Sequence, residues 1–263
     1  MQDLKVTLVQ TELAWQDPAA NRDHFASLVR QIEGSPDLVV LPEMFTTGFT
    51  MEAEHHAERM TGDSVAWMAG IARECGVTLC GSLIMEVDGR YFNRLIWMPP
   101  DGRLEFYDKR HLFRMADEHD HYTAGSVRRI FRLGDWRVCP LVCYDLRFPV
   151  WSRGVDEFDL LIYVANWPAT RRSAWRVLLP ARAVENLCYV VGVNRIGHDG
   201  NSRTYAGDSV VVDHLGTTLL DQGEKHRVDT VALDGDKLLR YRRKFPAHLD
   251  ADEFRIGAGD FES

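Results

Sequence analysis

Three apolar segments of the sequence end at residues that can do chemistry together. The run DLVVL leads to Glu43, RLEFYD leads to Lys109 and RVCPLV leads to Cys143. Ligands of α/β proteins collect outside the carboxyl ends of strands, so we expect three neighbouring strands to bring these residues into one crevice. A carboxylate can take the proton of a thiol, and an ammonium can stabilise the oxyanion formed when the thiolate attacks a carbonyl or nitrile. The trio predicts a cysteine hydrolase.

Each of these residues also has an ordinary structural explanation. A cysteine at a strand end is commonly a small buried apolar residue. Glu43 fits a loop carboxylate, and Lys109 fits a solvated charge between Asp108 and Arg110. The strand-end placement of all three favours the catalytic interpretation. The Cys143-Tyr144-Asp145 corner would also present backbone N–H groups to an oxyanion.

The elements that must position these residues alternate between strands and helices. We expect one α/β domain over residues 1–263, with mixed sheets, helices outside and residues 246–263 as a C-terminal arm or tail. Pro180 is expected to kink or restart the helix that contains it. The predicted strands are 4–9, 37–41, 77–85, 91–98, 103–107, 137–142, 160–165, 189–193, 205–212, 217–220 and 230–233, and the predicted helices are 18–33, 64–75 and 173–186.

Composition excludes several classes of protein. The 31 basic and 39 acidic residues give a net charge of −8, so the overall basic footprint of a nucleic-acid-binding protein is absent. No stretch reaches the roughly 20 apolar residues of a membrane span, and residues 4–9 follow no basic leader, so we expect a strand there and no signal peptide. Five cysteines without a C-x-x-C pair indicate free thiols and a cytoplasmic location. His119 and His121 have no third ligand at metal-binding spacing, and no metal or cofactor is expected.

The residues around the trio resemble the nitrilase superfamily of carbon–nitrogen hydrolases. The resemblance runs from about Leu4 to Leu233 and implies a four-layer α-β-β-α sandwich that pairs as a homodimer. It also implies that Glu43 is the general base, Lys109 the oxyanion stabiliser and Cys143 the nucleophile. The matching segments are LPE at 41–43, YDKRHLF at 107–113, VCYDLRFP at 142–149, ANWP at 165–168 and ARAVEN at 181–186.

A second glutamate is implied by the same resemblance. The segment EHDHYTAG at 118–125 is similar to the family pattern E-x-x-x-[YF]-x-x-G, which makes Glu118 the candidate. Asp117 is its neighbour and blurs the assignment, and a surface carboxylate is the structural alternative for Glu118.

The motifs look most like those of bacterial YafV-type ω-amidases, which implies a small 2-oxo acid amide such as 2-oxoglutaramate or 2-oxosuccinamate as substrate. Such a substrate carries a carboxylate, which an arginine can bind through two hydrogen bonds. Arg147 is slightly favoured over Arg171 and Arg172, although it fits a structural partner of Asp145 equally well. Tyr144 and Trp167 complete the predicted substrate-binding set, and packing is the alternative for Trp167.

Three other functions remain open from the residues. One is a nitrilase or another small aliphatic amidase with the same trio, and another is an inactive binding or scaffold relative. The third is a Cys–His hydrolase of the protease type that uses His111, His198 or His214. The predicted dimer contacts are the helix at 174–187, with Trp175, Leu178, Leu179 and Val184, and the segment with Phe148, Val150 and Trp151.

Overall fold

The computed structural model describes residues 1–154, 156–252 and 254. The strands are β1 (Leu4–Gln10), β2 (Leu38–Val40), β3 (Thr78–Val87), β4 (Arg90–Met98), β5 (Glu105–Asp108), β6 (Phe131–Leu133), β7 (Trp136–Val142), β8 (Leu160–Ala165), β9 (Tyr189–Asn194), β10 (Ile196–His198), β11 (Thr204–Ala206), β12 (Val210–Val212), β13 (Thr218–Asp221) and β14 (Arg227–Leu233). The helices are α1 (Pro18–Arg30), α2 (Ala53–His56), α3 (Asp63–Cys75), α4 (Glu118–His121), α5 (Pro149–Ser152), α6 (Arg172–Asn186) and α7 (Gly235–Lys244).

Two six-stranded sheets lie face to face between layers of helices. The first has the order β14-β1-β2-β3-β4-β5 and the second the order β13-β12-β9-β8-β7-β6, while β10 and β11 form a separate hairpin. The apolar side chains between the sheets join one core, with Leu8 and Trp97 from the first sheet and Val138 and Val191 from the second. This arrangement confirms the predicted α-β-β-α sandwich.

The helical layers cover the outer sheet faces with apolar side chains. On the first sheet, Phe25 of α1 and Met68 of α3 pack in an outer core with Val39 of β2. On the second sheet, α6 lies so close to β9 that a side chain at Gly192 would meet Leu179 at 2.6 Å. No helix in the described part of the chain is long and apolar enough to cross a bilayer.

The expectation that three neighbouring strands carry the trio is wrong. Glu43 follows β2 and Lys109 follows β5, with β3 and β4 between them in the first sheet, whereas Cys143 follows β7 in the second sheet. The strands β2, β3 and β5 run in one direction, because β3 is parallel to β2 and β5 is two antiparallel steps from β3. The residues therefore meet because two stacked sheets end at one edge of the sandwich.

The structure differs from the sequence-based prediction at Pro180 and at Gly207. Helix α6 runs without interruption through Pro180, held on β9 by buried side chains on both sides of the proline, Trp175 and Ala183. The single strand expected at 205–212 is split, because Gly207 and Asp208 adopt left-handed conformations with φ of +68° and +57°. The split gives β11 to the hairpin and β12 to the second sheet.

The chain after β14 was only partly anticipated. Helix α7 was not predicted, although Asp234 caps it by accepting a 2.6 Å hydrogen bond from the Lys237 backbone N–H. In the predicted arm, residues Ala247–Asp250 form a 3₁₀ turn. Positions 253 and 255–263 of that arm lie outside the described residues.

Candidate active site

Glu43, Lys109 and Glu118 form one buried charge cluster. The Lys109 Nζ donates to Glu43 Oε1 at 3.0 Å and lies 2.9 Å from each Glu118 carboxylate oxygen. All three side chains are fully excluded from solvent. Asp117 is exposed and is not part of this cluster, so the geometry separates the two adjacent carboxylates. Glu118, the candidate from the sequence motif, contacts Lys109 directly.

Opposing effects set the pKa of Lys109. Burial alone lowers the pKa of an ammonium, but the carboxylates of Glu118 and Glu43 outweigh it and raise the pKa of Lys109 above its ordinary value. The lysine therefore stays charged at neutral pH. A permanent positive charge on a buried side chain is suited to stabilising a developing oxyanion.

Glu118 is surrounded by hydrogen-bond donors. Besides Lys109, the Phe113 backbone N–H donates to its Oε2 at 2.6 Å. Burial raises the pKa of Glu118, Lys109 lowers it and the charge of Glu43 raises it again, with a net upward shift. Because its hydrogen-bond partners in the described structure are donors, the carboxylate is held as an acceptor and fixes the position of the lysine.

Cys143 begins a 3₁₀ turn over Cys143–Arg147 directly after β7. Its φ of +44° is unusual for a residue with a side chain, and such strain is typical of functional sites. Burial raises the pKa of the Cys143 thiol well above its ordinary value, and the neighbouring Glu43 carboxylate adds to the shift. The resting group is a thiol, so its reaction requires a base in contact with it, and Glu43 is that neighbour.

Asp145 holds the turn that carries the cysteine. Its buried carboxylate accepts hydrogen bonds from the Val142 N–H at 3.0 Å and the Tyr107 hydroxyl at 2.7 Å. It also accepts the His111 N–H at 3.0 Å and lies 2.7 Å from His111 Nδ1. The imidazole in turn stacks on Phe148 with ring centroids 3.7 Å apart. These contacts tie the turn after β7 to the segment after β5 and satisfy Asp145 without Arg147.

One cavity opens over Cys143 and Lys109. The predicted binding residues Tyr144, Arg147 and Trp167 all line it. Its walls are formed by Phe49, Lys109, Phe113, Cys143, Tyr144, Arg147, Asn166, Trp167, Pro168, Arg171, Arg203 and Tyr205.

Three arginines line this cavity. Arg147 lies over the Trp167 ring at 5.2 Å, and Arg171 lies over the Phe113 ring at 5.1 Å. The third, Arg203, comes from the β10–β11 hairpin and was not anticipated. Within the described structure, no carboxylate pairs with any of the three guanidinium groups. The cavity wall therefore carries three cationic side chains without carboxylate partners in the described structure.

Arg172 was a wrong candidate for this wall. Its guanidinium pairs with Asp208, 2.8 Å from Nη2 to Oδ1, and also with Glu224. Arg172 is the first residue of α6, and its side chain does not line the cavity, whereas the side chain of its neighbour Arg171 does. The histidines considered as bases, His111, His198 and His214, do not line the cavity either.

Asn93 was also missed by the sequence reasoning. Its side-chain Nδ2 donates to Glu43 Oε1 at 2.7 Å and lies 3.4 Å from Glu118 Oε1. The available signal was an amide within the otherwise largely apolar segment YFNRLIWM, where a strand core favours apolar residues. Asn166 is a second amide in the site, and its backbone N–H donates to Glu43 Oε2 at 2.8 Å.

Proteins of similar sequence include named amidases. The chain is 49% identical to the ω-amidase YafV of Escherichia coli (strain K12), across 97% of this chain and 100% of that protein. It is 28% identical to the 2-oxoglutaramate amidase of Bacillus subtilis (strain 168), across 93% of this chain and 96% of the relative.

The crystal structure of a CN-hydrolase superfamily protein from Xanthomonas campestris, which has an arsenic adduct in its active site, matches with a TM-score of 0.95. The two proteins are 47% identical, and the match covers 98% of this chain and 100% of that one. The carbon–nitrogen hydrolase profile matches residues 5–243. These matches confirm the resemblance seen in the motifs, and the chain belongs to the carbon–nitrogen hydrolases of the nitrilase superfamily.

Proposed function

We propose that the protein is an ω-amidase that hydrolyses the terminal amide of short 2-oxo dicarboxylic acid monoamides, such as 2-oxoglutaramate and 2-oxosuccinamate. The observation that carries the proposal is the cavity over Cys143, whose wall contains three arginines without carboxylate partners in the described structure. A substrate carboxylate supplies the missing negative charge. Relatives named ω-amidase and 2-oxoglutaramate amidase support this choice.

The first half of the reaction forms a thioester. Glu43 takes the thiol proton while the Cys143 sulfur attacks the amide carbon, and the carbonyl oxygen becomes an oxyanion. Lys109 stabilises this oxyanion together with backbone N–H groups at the start of the 3₁₀ turn, which have no partner within the turn. Collapse of the intermediate breaks the C–N bond, and Glu43 returns its proton to the nitrogen so that ammonia leaves.

The second half returns the enzyme to its resting state. Glu43 takes a proton from water, and the hydroxide formed attacks the thioester carbon. The oxyanion again contacts Lys109, and its collapse breaks the C–S bond and releases the dicarboxylic acid. The thiolate of Cys143 regains a proton from Glu43. Glu118 takes no proton in this scheme, and its part is to hold the lysine between two carboxylates.

The substrate carboxylate, at the end away from the amide, contacts the arginines that line the cavity. An arginine binds a carboxylate through two parallel hydrogen bonds, and Arg147, Arg171 and Arg203 are the donors available in the cavity. Tyr144 and Trp167 bound the space between this wall and Cys143. A nitrilase acting on simple nitriles would need no such charge, which is why the carboxylated amide is the better substrate.

The test is ammonia release from a panel of small amides and nitriles. We expect 2-oxosuccinamate to be hydrolysed with a higher kcat/KM than a neutral amide of similar length, and Cys143→Ala to abolish release. Equal or faster hydrolysis of neutral nitriles would overturn the ω-amidase proposal. No release by the wild-type chain from any compound would overturn hydrolysis itself.

We also propose that the chain forms a homodimer. Helix α6 presents Val177, Ala181 and Val184 to solvent on one face, and Leu215 and Val150 are also exposed apolar residues. The expected contacts through Trp175, Leu179 and Trp151 are wrong, since these side chains are buried within the protomer. A monomer in light scattering at micromolar concentration would refute the dimer.

We further propose that residues 1–263 form a single hydrolase domain, with residues 246–263 as an arm. The five cysteines are free, which suits a reducing compartment, so the proposed location is the cytoplasm. Limited proteolysis that released a folded fragment from within residues 1–245 would contradict the single domain.

A further inference from the structure

We propose that Asn93 is the positioning residue that keeps Glu43 hydrogen-bonded and correctly oriented while Lys109 turns to the substrate oxyanion. The inference rests on the proposed amide hydrolysis for its kinetic consequences. Its geometric basis, the contacts of the buried Asn93 side chain with both glutamates and of its backbone with Lys109, is independent of the substrate.

Asn93 touches every charged member of the cluster. Its Nδ2 lies 2.7 Å from Glu43 Oε1 and 3.4 Å from Glu118 Oε1. Its backbone carbonyl accepts the Lys109 N–H at 3.0 Å, which fixes the start of the lysine against β4. The residue is buried and does not line the substrate cavity, so it acts through the other groups.

Packing alone does not explain an asparagine at this position. The side-chain oxygen Oδ1 of Asn93 is buried and has no hydrogen-bond partner in the described structure. Leaving a buried carbonyl unpaired is unfavourable for folding, and an apolar side chain of similar size would avoid it. The part of Asn93 that makes contacts is the NH₂ group that faces the two glutamates.

The hydrogen-bond donors available to Glu43 show what this NH₂ group supplies. A lysine has three N–H donors, and those of Lys109 already face Glu43 Oε1 and both oxygens of Glu118. One donor must turn to the oxyanion during the reaction. Because Glu118 holds the ammonium through two oxygens, the single contact with Glu43 is the one to be released, and Asn93 remains on Glu43 Oε1 when this happens.

The absence of charge on the Asn93 side chain also affects how strong a base Glu43 can be. A second cation beside Glu43 would make that carboxylate too weak a base to take the thiol proton, whereas an amide donor stabilises its charge only modestly. Asn93 and Lys109 both occupy Oε1 of Glu43, and Oε2 has one backbone donor, from Asn166. Oε2 is therefore the oxygen with a lone pair available to the Cys143 proton.

Two variants separate this role from packing. Asn93→Leu preserves the volume and removes the donor, so we expect kcat to fall about 10–10²-fold, as for a lost hydrogen bond to a charged group, with KM little changed. Asn93→Asp preserves the shape but adds a third carboxylate, so we expect a larger loss. In both variants the acid limb of the kcat/KM profile should move to higher pH, because the ionised form of Glu43 is less stabilised. A packing role predicts the reverse order, with the isosteric aspartate retaining more activity.

The matched control is Asn21→Leu. Asn21 is equally buried, and its side chain makes three hydrogen bonds, with the backbone of Ala14 and Thr46. Its replacement should lower the Tm without moving the acid limb. Wild-type kinetics in Asn93→Leu, or a milder loss in Asn93→Asp than in Asn93→Leu, would overturn the proposal.

Urea unfolding gives a measure that does not depend on activity. If Asn93 stabilises the charged form of Glu43, then Asn93→Leu should lower the unfolding midpoint more at pH 8 than at pH 4, and Glu43→Gln should remove that difference. The same loss at both pH values would overturn the proposal. A pH-dependent loss in a protein that hydrolyses no amide would leave the role of Asn93 intact and refute the proposed function instead.

Discussion

Replacement of Lys109 by methionine should destabilise the fold far more than an ordinary lysine substitution does. The ammonium lies between Glu43 and Glu118, and all three side chains are fully buried. Removing one partner of a buried ion pair costs about 3–5 kcal/mol, because an uncompensated charge remains in the protein interior. Here two carboxylates lose the same partner, so we expect about 5 kcal/mol, a large part of the roughly 5–15 kcal/mol that holds a domain together.

The pH dependence of this loss has a defined sign. Burial raises the pKa of Glu118, and Lys109 is the group that opposes the shift, so the pKa should rise further in Lys109→Met. The native state then binds a proton that the unfolded chain, with a pKa of about 4.3, has released. Below the unfolded-state pKa, the variant therefore keeps this contribution to its free energy of unfolding. The contribution is lost as the pH rises through the native pKa of Glu118, so the variant should lose more free energy of unfolding at pH 8 than at pH 5.

Urea unfolding with matched variants measures the effect. Lys237→Met is the control, since the Lys237 ammonium is half-exposed and Asp213, its partner at 3.2 Å, also accepts two backbone N–H bonds, so we expect a smaller loss. The double variant Lys109→Met/Glu118→Gln removes one of the two stranded charges and should regain roughly half of the loss. A loss in Lys109→Met no greater than in Lys237→Met, or one that is independent of pH, would refute the buried charge cluster.

Three kinetic predictions follow from the site. Glu43→Gln preserves the volume but removes the base, so kcat for ammonia release should fall about 10²–10⁴-fold, and a near-normal rate across pH would transfer the role to Glu118. Asp145→Asn replaces an acceptor of the Val142 N–H and the Tyr107 hydroxyl by an amide, so kcat should fall with little change in KM, and an unchanged kcat would contradict the assigned positioning role. Arg203→Gln should raise KM for 2-oxosuccinamate about tenfold or more, as for a lost charge-assisted hydrogen bond, without changing KM for a neutral amide; equal effects on both would show that Arg203 does not bind the carboxylate.

The fold was predictable from the sequence because each main strand is a short apolar run with a residue of different chemistry at its end. The run ending at Val142 and the one ending at Ala165 lie within a residue of the observed strand bounds. The assignment of strands to sheets was not predictable in this way. An apolar run indicates that a strand is buried, but not which strands lie beside it. The stacking of β7 over the first sheet depends on pairings between residues far apart in the chain.

The site was predictable where a residue follows a strand end and hidden where it lies inside an element. Glu43, Lys109 and Cys143 are of the first kind. Asn93 lies within β4, 50 residues from Glu43, and its contact with the cluster depends on the pairing of β3, β4 and β5. Arg203 reaches the cavity because of how the β10–β11 hairpin folds back, which no local spacing reveals.

The most direct test of the account is the identification of the covalent intermediate. Enzyme mixed with 2-oxosuccinamate and quenched in acid within one turnover should carry the mass of the acyl group on the peptide that contains Cys143. Cys75 provides an internal control, since its thiol is half-buried and lies outside the cavity. An adduct confined to Cys143 and absent from the Cys143→Ser variant is the predicted result. An acyl group on another cysteine, or steady ammonia release by Cys143→Ser, would contradict the assignment of Cys143 as the nucleophile.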